Sequence, residues 1–339
     1  MNKETSTIIK GIAILMMLWF HLFNNIELTS LCSPQIYLFG KPLVIYIANA
    51  CYPVSFFMIL SGYGLTYCYK KNQLSFKNQN KRLLKLYIHY WIVLLIFVTI
   101  GHFIKPEIYP NNLIHIIANL IGLKCTYYGE IWFLLPYAII CLLSYWIINF
   151  VCNLNEKKKI IITLVIYSVV FLSARHLGYH LPKNVILETL LIQPVYVVQL
   201  TFYFSLGILL FRLLENEPTV FKNIKPINYL VIIIMVFITK CMIKITIADG
   251  IYAFIIIFCV NHLSLPKYIN RTLYQLGKYS MPMWMTHTFF SVYLFQDYIY
   301  GFKYPIIIYI VLVVVSYSVS VPIMFLSKQV IQRLHFLHT

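Results

Sequence analysis

Apolar runs long enough to cross a bilayer, broken by short polar stretches, recur from one end of the chain to the other. About 20 apolar residues in a helix span roughly 30 Å of hydrocarbon, and a backbone at that depth must satisfy its own hydrogen bonds. The runs lie near Thr7–Asn24, Leu43–Tyr67, Tyr87–Ile104, Ile131–Val151, Ile160–Ser173, Val195–Phe211, Tyr229–Met242, Ile245–Val260, Met281–Asp297 and Pro305–Leu326. They predict an all-α, polytopic membrane helix bundle of about ten spans, forming a single integral-membrane domain over residues 1–339. Asn112–Leu123 reads instead as a re-entrant or interfacial helix, and the spans flanking Ile243–Lys244 are short. No repeat of fixed period, low-complexity linker or Gly-rich phosphate loop interrupts the series.

Composition removes the soluble alternative. Of the 339 residues 60% are hydrophobic and 11% charged, with a mean hydropathy of +0.78, a balance that no water-soluble domain of this length tolerates. The formal charge of +17 would suggest nucleic acid for a soluble chain, but its placement follows the positive-inside rule. With the N-terminus in the cytoplasm, Lys41, Lys105, Lys124, Arg175, Lys183, Lys240, Lys244 and Lys303 fall outside, leaving about 19 cations inside. Both termini are thereby expected in the cytoplasm, and the chain in the inner (plasma) membrane, with lipid and not nucleic acid around it. The first run opens like a signal peptide, but no small-x-small cleavage site follows it, so it reads as an uncleaved first helix. The eight cysteines are scattered without Cys-x-x-Cys or Cys/His clustering, so neither a disulfide framework nor a metal site is expected, and no bound cofactor.

Chemistry must then come from polar side chains inside the membrane, which are expensive there and usually functional. Lys10 and His21 share the first span. Eleven helical steps return to within about 20° and rise about 16 Å, so one groove can see both. His21 as a neutral imidazole suits a general base, and equally a hydrogen bond that fixes helix packing. Lys81, Arg82 and Lys85 precede the third apolar run at spacings that share a helical face. They suit either anionic lipid or the phosphates of a cytosolic donor, with Arg82 able to make a forked contact. Ser61, beside Gly62 and Gly64, fits close helix packing or stabilisation of an oxyanion. Glu130 and Trp132 read as an interfacial belt or as a carboxylate and flat aromatic surface for a polyhydroxylated acceptor. His287 lies about 13 Å from Lys278 at helical rise, a depth similar to that of His21, and suits packing or a shared polar cavity. The remaining histidines, His89 among them, receive no role.

In order and spacing these segments resemble the acyltransferase-3 family of integral-membrane O-acyltransferases, over nearly the whole chain. The resemblance rests on Lys10 and His21 as a basic residue, ten positions and a histidine, and on Phe56-Phe57-Met58-Ile59-Leu60-Ser61-Gly62. It rests also on Lys81-Arg82-Leu83-Leu84-Lys85, Trp132-Phe133-Leu134, Tyr203-Phe204-Ser205-Leu206-Gly207 and Gly277-Lys278-Tyr279-Ser280-Met281 through His287. Lysines at two of three positions of the family's arginine element keep charge but lose fork geometry. In the Tyr-rich entry to the third helix, where the family commonly has a proline, this chain reads Leu86-Tyr87-Ile88-His89-Tyr90-Trp91. The hydrolase-like domain appended in some relatives is not expected here.

The resemblance implies an O-acetyltransferase that uses cytoplasmic acetyl-CoA, or another acyl-CoA, as co-substrate and a hydroxyl of a surface or exported glycan, or lipid-linked saccharide, as acceptor. Lys10, Lys81, Arg82 and Lys85 would hold donor phosphates, His21 would deprotonate the hydroxyl, and Ser61 or a nearby backbone N–H would stabilise the oxyanion. Glu130, Trp132 and His287 would orient the acceptor. A transporter or flippase for a lipid-linked glycan is the competing reading, since buried histidines and a basic mouth also suit a substrate path, although no internal symmetry is evident. A glycan polymerase or ligase would be expected to carry a longer extracytoplasmic loop.

Overall fold

A computed structural model describes residues 1–154, 185–243 and 248–334, with scattered positions between 158 and 169. The described chain is helical almost throughout. In order it runs through α1 (Lys3–Phe23), α2 (Ile26–Ser30), a hairpin of Tyr37–Leu38 with Lys41–Pro42, α3 (Leu43–Ala50), α4 (Pro53–Lys70), α5 (Phe76–Ile104) and α6 (Leu113–Leu120). A 3₁₀ turn (Gly129–Phe133) leads into α7 (Leu134–Asn153), and α8 (Val185–Glu215), α9 (Thr219–Lys222), α10 (Pro226–Met242), α11 (Asp249–Asn261) and α12 (Lys267–Thr288) follow. A π turn (Phe289–Tyr293), α13 (Gln296–Tyr300) and α14 (Pro305–Arg333) complete the series.

Six segments among the described residues are long and apolar enough to cross a membrane: Lys3–Phe23, Leu43–Lys70, Phe76–Ile104, Gly129–Asn153, Leu191–Glu215 and Pro305–Arg333. They correspond to six of the expected spans, while the expected span Ile160–Ser173 lies largely outside the described residues. Four expected spans change in form. Leu43–Tyr67 is not one helix: it breaks at Cys51–Tyr52 into α3 and α4, because Pro53 opens α4 and a residue before proline is pushed away from helical backbone. Tyr229–Met242 and Ile245–Val260 become helices of 17 and 13 residues, short for a full crossing at 1.5 Å per residue. Met281–Asp297 begins as the apolar half of α12, whose first half is polar, passes through the π turn and ends in α13. The stretch Asn112–Leu123 forms α6, an eight-residue helix with Leu113, Ile114 and Ile117 exposed and Ala118 and Asn119 buried. That is the shape of an in-plane helix with one apolar face.

Two glycine crossings set the bundle around the site. α1 lies along α12, and a Cβ on Gly11 would meet the Leu273 carbonyl oxygen at 2.1 Å while one on Gly277 would meet that of Thr7 at 1.8 Å. α4 lies on α8 in the same way, with Gly62 against the Phe204 oxygen at 2.1 Å and Gly207 against that of Ile59 at 2.2 Å. Small residues let helix backbones approach this closely where lipid gives no hydrophobic drive between helices. Lys240, expected in an outer segment, is buried and ion-paired with Asp249, Nζ to Oδ1 2.6 Å, which joins the end of α10 to the start of α11. A lysine at that depth is tolerable only when paired.

The segment between α5 and the 3₁₀ turn is held by side chains satisfying loop carbonyls. Tyr90 donates to the Asn119 oxygen (2.6 Å), Tyr109 to that of Tyr127 (2.6 Å) and Tyr127 to that of Pro110 (2.5 Å). Asn119 donates to Thr126 Oγ1 at 2.6 Å. With its backbone groups occupied, this loop delivers Gly129 and Glu130 to the bundle as a fixed edge.

Candidate active site

Helical stripes from α1, α4, α5 and α12, closed by the 3₁₀ turn and the start of α7, enclose one cavity of about 470 Å³. On α1 the lining residues are Lys10, Met17, Phe20 and His21, the spacing of one helix face. On α5 they are Arg82, Lys85, Leu86 and His89, again a single stripe. Of the nine residues singled out from sequence, Lys10, His21, Ser61, Arg82, Lys85, Glu130 and Trp132 all line this space. Lys81 and His287 do not.

The polar groups divide between the cavity's two ends. At one end Lys10 lies close enough to Arg82 for the two cations to repel. Arg82 faces the Tyr137 hydroxyl, which lies 3.3 Å from Ser61 Oγ. At the other end His21 Nδ1 stands 3.7 Å from Glu130 Oε1. Like cations with no carboxylate between them are stable only where anionic partners or water can reach, so this end is suited to phosphate.

Two anchors fix how α1 and α4 run. The Met1 amine donates to Tyr63 Oη at 2.8 Å, and the Phe20 ring meets that of Tyr52 with centroids 6.1 Å apart, so the helices are antiparallel. Nine residues from Tyr52 to Ser61 carry Ser61 about 13 Å down the bundle, to the cationic end. Ser61 and His21 therefore do not face the same atom.

His287 is fully buried, 0% exposed, and stands behind His21 with ring centroids 4.9 Å apart. Its Nδ1 lies 2.8 Å from the Trp284 oxygen and 3.2 Å from that of Met283. Two carbonyl acceptors place its proton on Nδ1. The π turn that follows brings Tyr293 round so that the Gly129 N–H donates to its Oη at 2.7 Å. The neighbour of Glu130 is thereby tied to the helix that carries His287. Single π turns are frequent where a side chain must be re-aimed at a site.

Between the two ends the wall is apolar: Met17, Phe57, Leu60, Leu86, Met281 and Trp284. His89 interrupts it. It is 6% exposed, with Nδ1 2.7 Å from the Lys85 oxygen, and the cavity is where it lies. Periodicity alone puts His89 on the Arg82–Lys85 stripe, so the sequence carries the signal that groups it with them. Tyr137 and Tyr293 carried no signal that distinguishes them among 28 tyrosines. No cluster of three metal-ligating side chains occurs among the described residues.

A family model described as an acyltransferase domain matches residues 6–325. No curated protein and no solved structure matches the chain.

Proposed function

The chain belongs to the acyltransferase-3 family and is a multi-pass membrane acyltransferase, and from that premise we propose that it transfers an acetyl group from cytoplasmic acetyl-CoA to a hydroxyl of a surface or exported glycan. The observation that carries this reading is a single cavity with cations at one end and a histidine–carboxylate pair at the other. Lys10 and His21 are about 16 Å apart along their helix. The arm of coenzyme A has 13 bonds from its pyrophosphate phosphorus to sulfur, and at about 1.2 Å of extended length per bond it reaches about 16 Å. A donor whose phosphates rest at Lys10, Arg82 and Lys85 thus brings its thioester to His21.

There the acceptor hydroxyl oxygen attacks the thioester carbon as His21 removes its proton. The carbon–sulfur bond breaks, the thiolate leaves, and the imidazolium returns the proton to it, so the balance closes with one ester and one thiol. Glu130 beside Nδ1 orients the imidazole and stabilises its charged form, as the third member of an activated pair does. Trp132, at the Glu130 end, offers a flat apolar face to the sugar ring. Two roles expected from sequence are better supported elsewhere. Ser61, on the Tyr137–Arg82 side, supports the donor's phosphate end, and His287, behind His21, fixes its ring rather than touching acceptor. Lys81, off the cavity, serves the surrounding anionic surface.

The test is transfer of label from radiolabelled acetyl-CoA to extracted surface glycan, comparing membranes that hold the intact protein with equal amounts of His21→Ala. Ester-linked label with the intact protein alone is the expected result. Saccharide movement without donor consumption would replace this reading with transport.

A further inference from the structure

His89 lies on the same stripe of α5 as Arg82 and Lys85, seven residues beyond Arg82. At helical rise that is about 10 Å from the cationic end towards His21. Its Nδ1, 2.7 Å from the Lys85 oxygen, carries the ring proton. Nε2 therefore presents a lone pair, and it is buried with no hydrogen-bond partner. An orphaned buried acceptor is uncommon and calls for an occupant. The neighbouring wall is largely apolar; Ser280, also among the lining residues, turns its hydroxyl proton to the Gly277 oxygen at 2.9 Å and keeps a lone pair, whereas His89 Nε2 has no partner at all.

The donor arm that threads this stretch is itself amphipathic. It carries two amide N–H groups, about 7 and 12 Å from the pyrophosphate at 1.2 Å per bond, which bracket the level of His89. Drawing an amide N–H out of water into an apolar channel is costly unless an acceptor waits for it. We propose that His89 is a donor-binding residue whose Nε2 accepts a hydrogen bond from an amide N–H of the acyl-CoA arm, so that this chain reads the arm as well as the phosphates. The proposal rests on the acyl-CoA reading above.

Initial rates are measured for the full-length protein in membranes with three donors: acetyl-CoA, S-acetylpantetheine and the amide-free S-ethyl thioacetate. For His89→Leu, KM rises about tenfold for the first two donors, as expected for one buried hydrogen bond lost, while kcat stays within about twofold. The ratio of variant to intact KM falls towards one for S-ethyl thioacetate. His89→Gln, which keeps an acceptor oxygen at similar reach, recovers most of the loss. An unchanged KM for acetyl-CoA in His89→Leu overturns the assignment, as does a loss of equal size with the amide-free donor, which would mean a packing role. An intact protein that turns over none of the three donors overturns the acyl-CoA reading and His89's part with it.

Discussion

Glu130 stands 3.7 Å from His21 Nδ1, slightly beyond hydrogen-bond length, as such pairs often do before substrate closes around them. If the carboxylate orients and charges the imidazole, then Glu130→Gln keeps shape and loses the effect. We expect His21→Ala to lower kcat by about 10²–10⁴-fold, Glu130→Gln by about 10–100-fold, and the double variant to be no slower than His21→Ala, since parts acting as one unit are not additive. Single-turnover rates at saturating donor check this, and an additive double variant would separate the two residues. Lys10, His21, Arg82 and Lys85 were legible in the sequence because an ionisable residue inside an apolar run has few explanations, and the helical period says which of them share a face. His89 obeyed the same period but sat among tyrosines near a helix's basic start, where an interfacial position explains it equally well. Only the packing of α5 against α12 and α7 shows that its face is the cavity's. Ser61 illustrates the converse: its residue type suggested an oxyanion partner, while its depth depends on the opposed direction of α4, which residue type does not record.

Helix-to-helix distance in this bundle is governed by glycines that meet backbone. A side chain at Gly11, Gly277, Gly62 or Gly207 would overlap a carbonyl oxygen of the facing helix, and no side-chain rotation relieves that. Gly64, two residues from Gly62 on the same helix, faces open space. We therefore expect Gly277→Val and Gly207→Val to lower stability by about 1–3 kcal/mol or more through overpacking. Gly64→Ala should instead gain about 0.5–1 kcal/mol of helix propensity. Thermal unfolding in detergent, followed by helical signal, ranks them, and a destabilising Gly64→Ala would refute the contrast. The Lys240–Asp249 pair answers a second element-scale question, how the end of one short helix is held to the start of the next. Lys240→Met alone leaves a buried carboxylate without its cation and is expected to cost about 3–5 kcal/mol, whereas Lys240→Met with Asp249→Leu returns near the starting stability. The apolar runs announced most of these helices, but not the break at Cys51–Tyr52. Its residues are as apolar as the helices on either side, and Pro53 reads equally well as a kink within one span or as the first residue of a new one.

At the scale of the whole molecule, charge and cavity point the same way. The cations that line the cavity lie at the end where α1 and α5 begin, and the histidine–carboxylate pair lies towards the opposite end of α1. Expected orientation puts the first of these on the cytoplasmic side, where loops are rich in lysine and arginine. The donor's phosphates then stay on one face while its thioester is carried most of the way through the bundle, and no charged group needs to cross. Reconstitution into vesicles sorted by orientation tests this directly. Acetyl-CoA is membrane-impermeant by charge, so donor added outside should be consumed only by molecules whose basic face points outward. Sealing acetyl-CoA inside should select the other population. The acceptor should show the reverse dependence, with a soluble saccharide labelled only when it shares the compartment of the Glu130 end. Donor and acceptor that react only when both are supplied from the basic face would mean that the hydroxyl reaches inward along the cavity. In that case the aromatic residues at its far end, Trp132 and Tyr52 among them, act as a closed floor and not as a mouth.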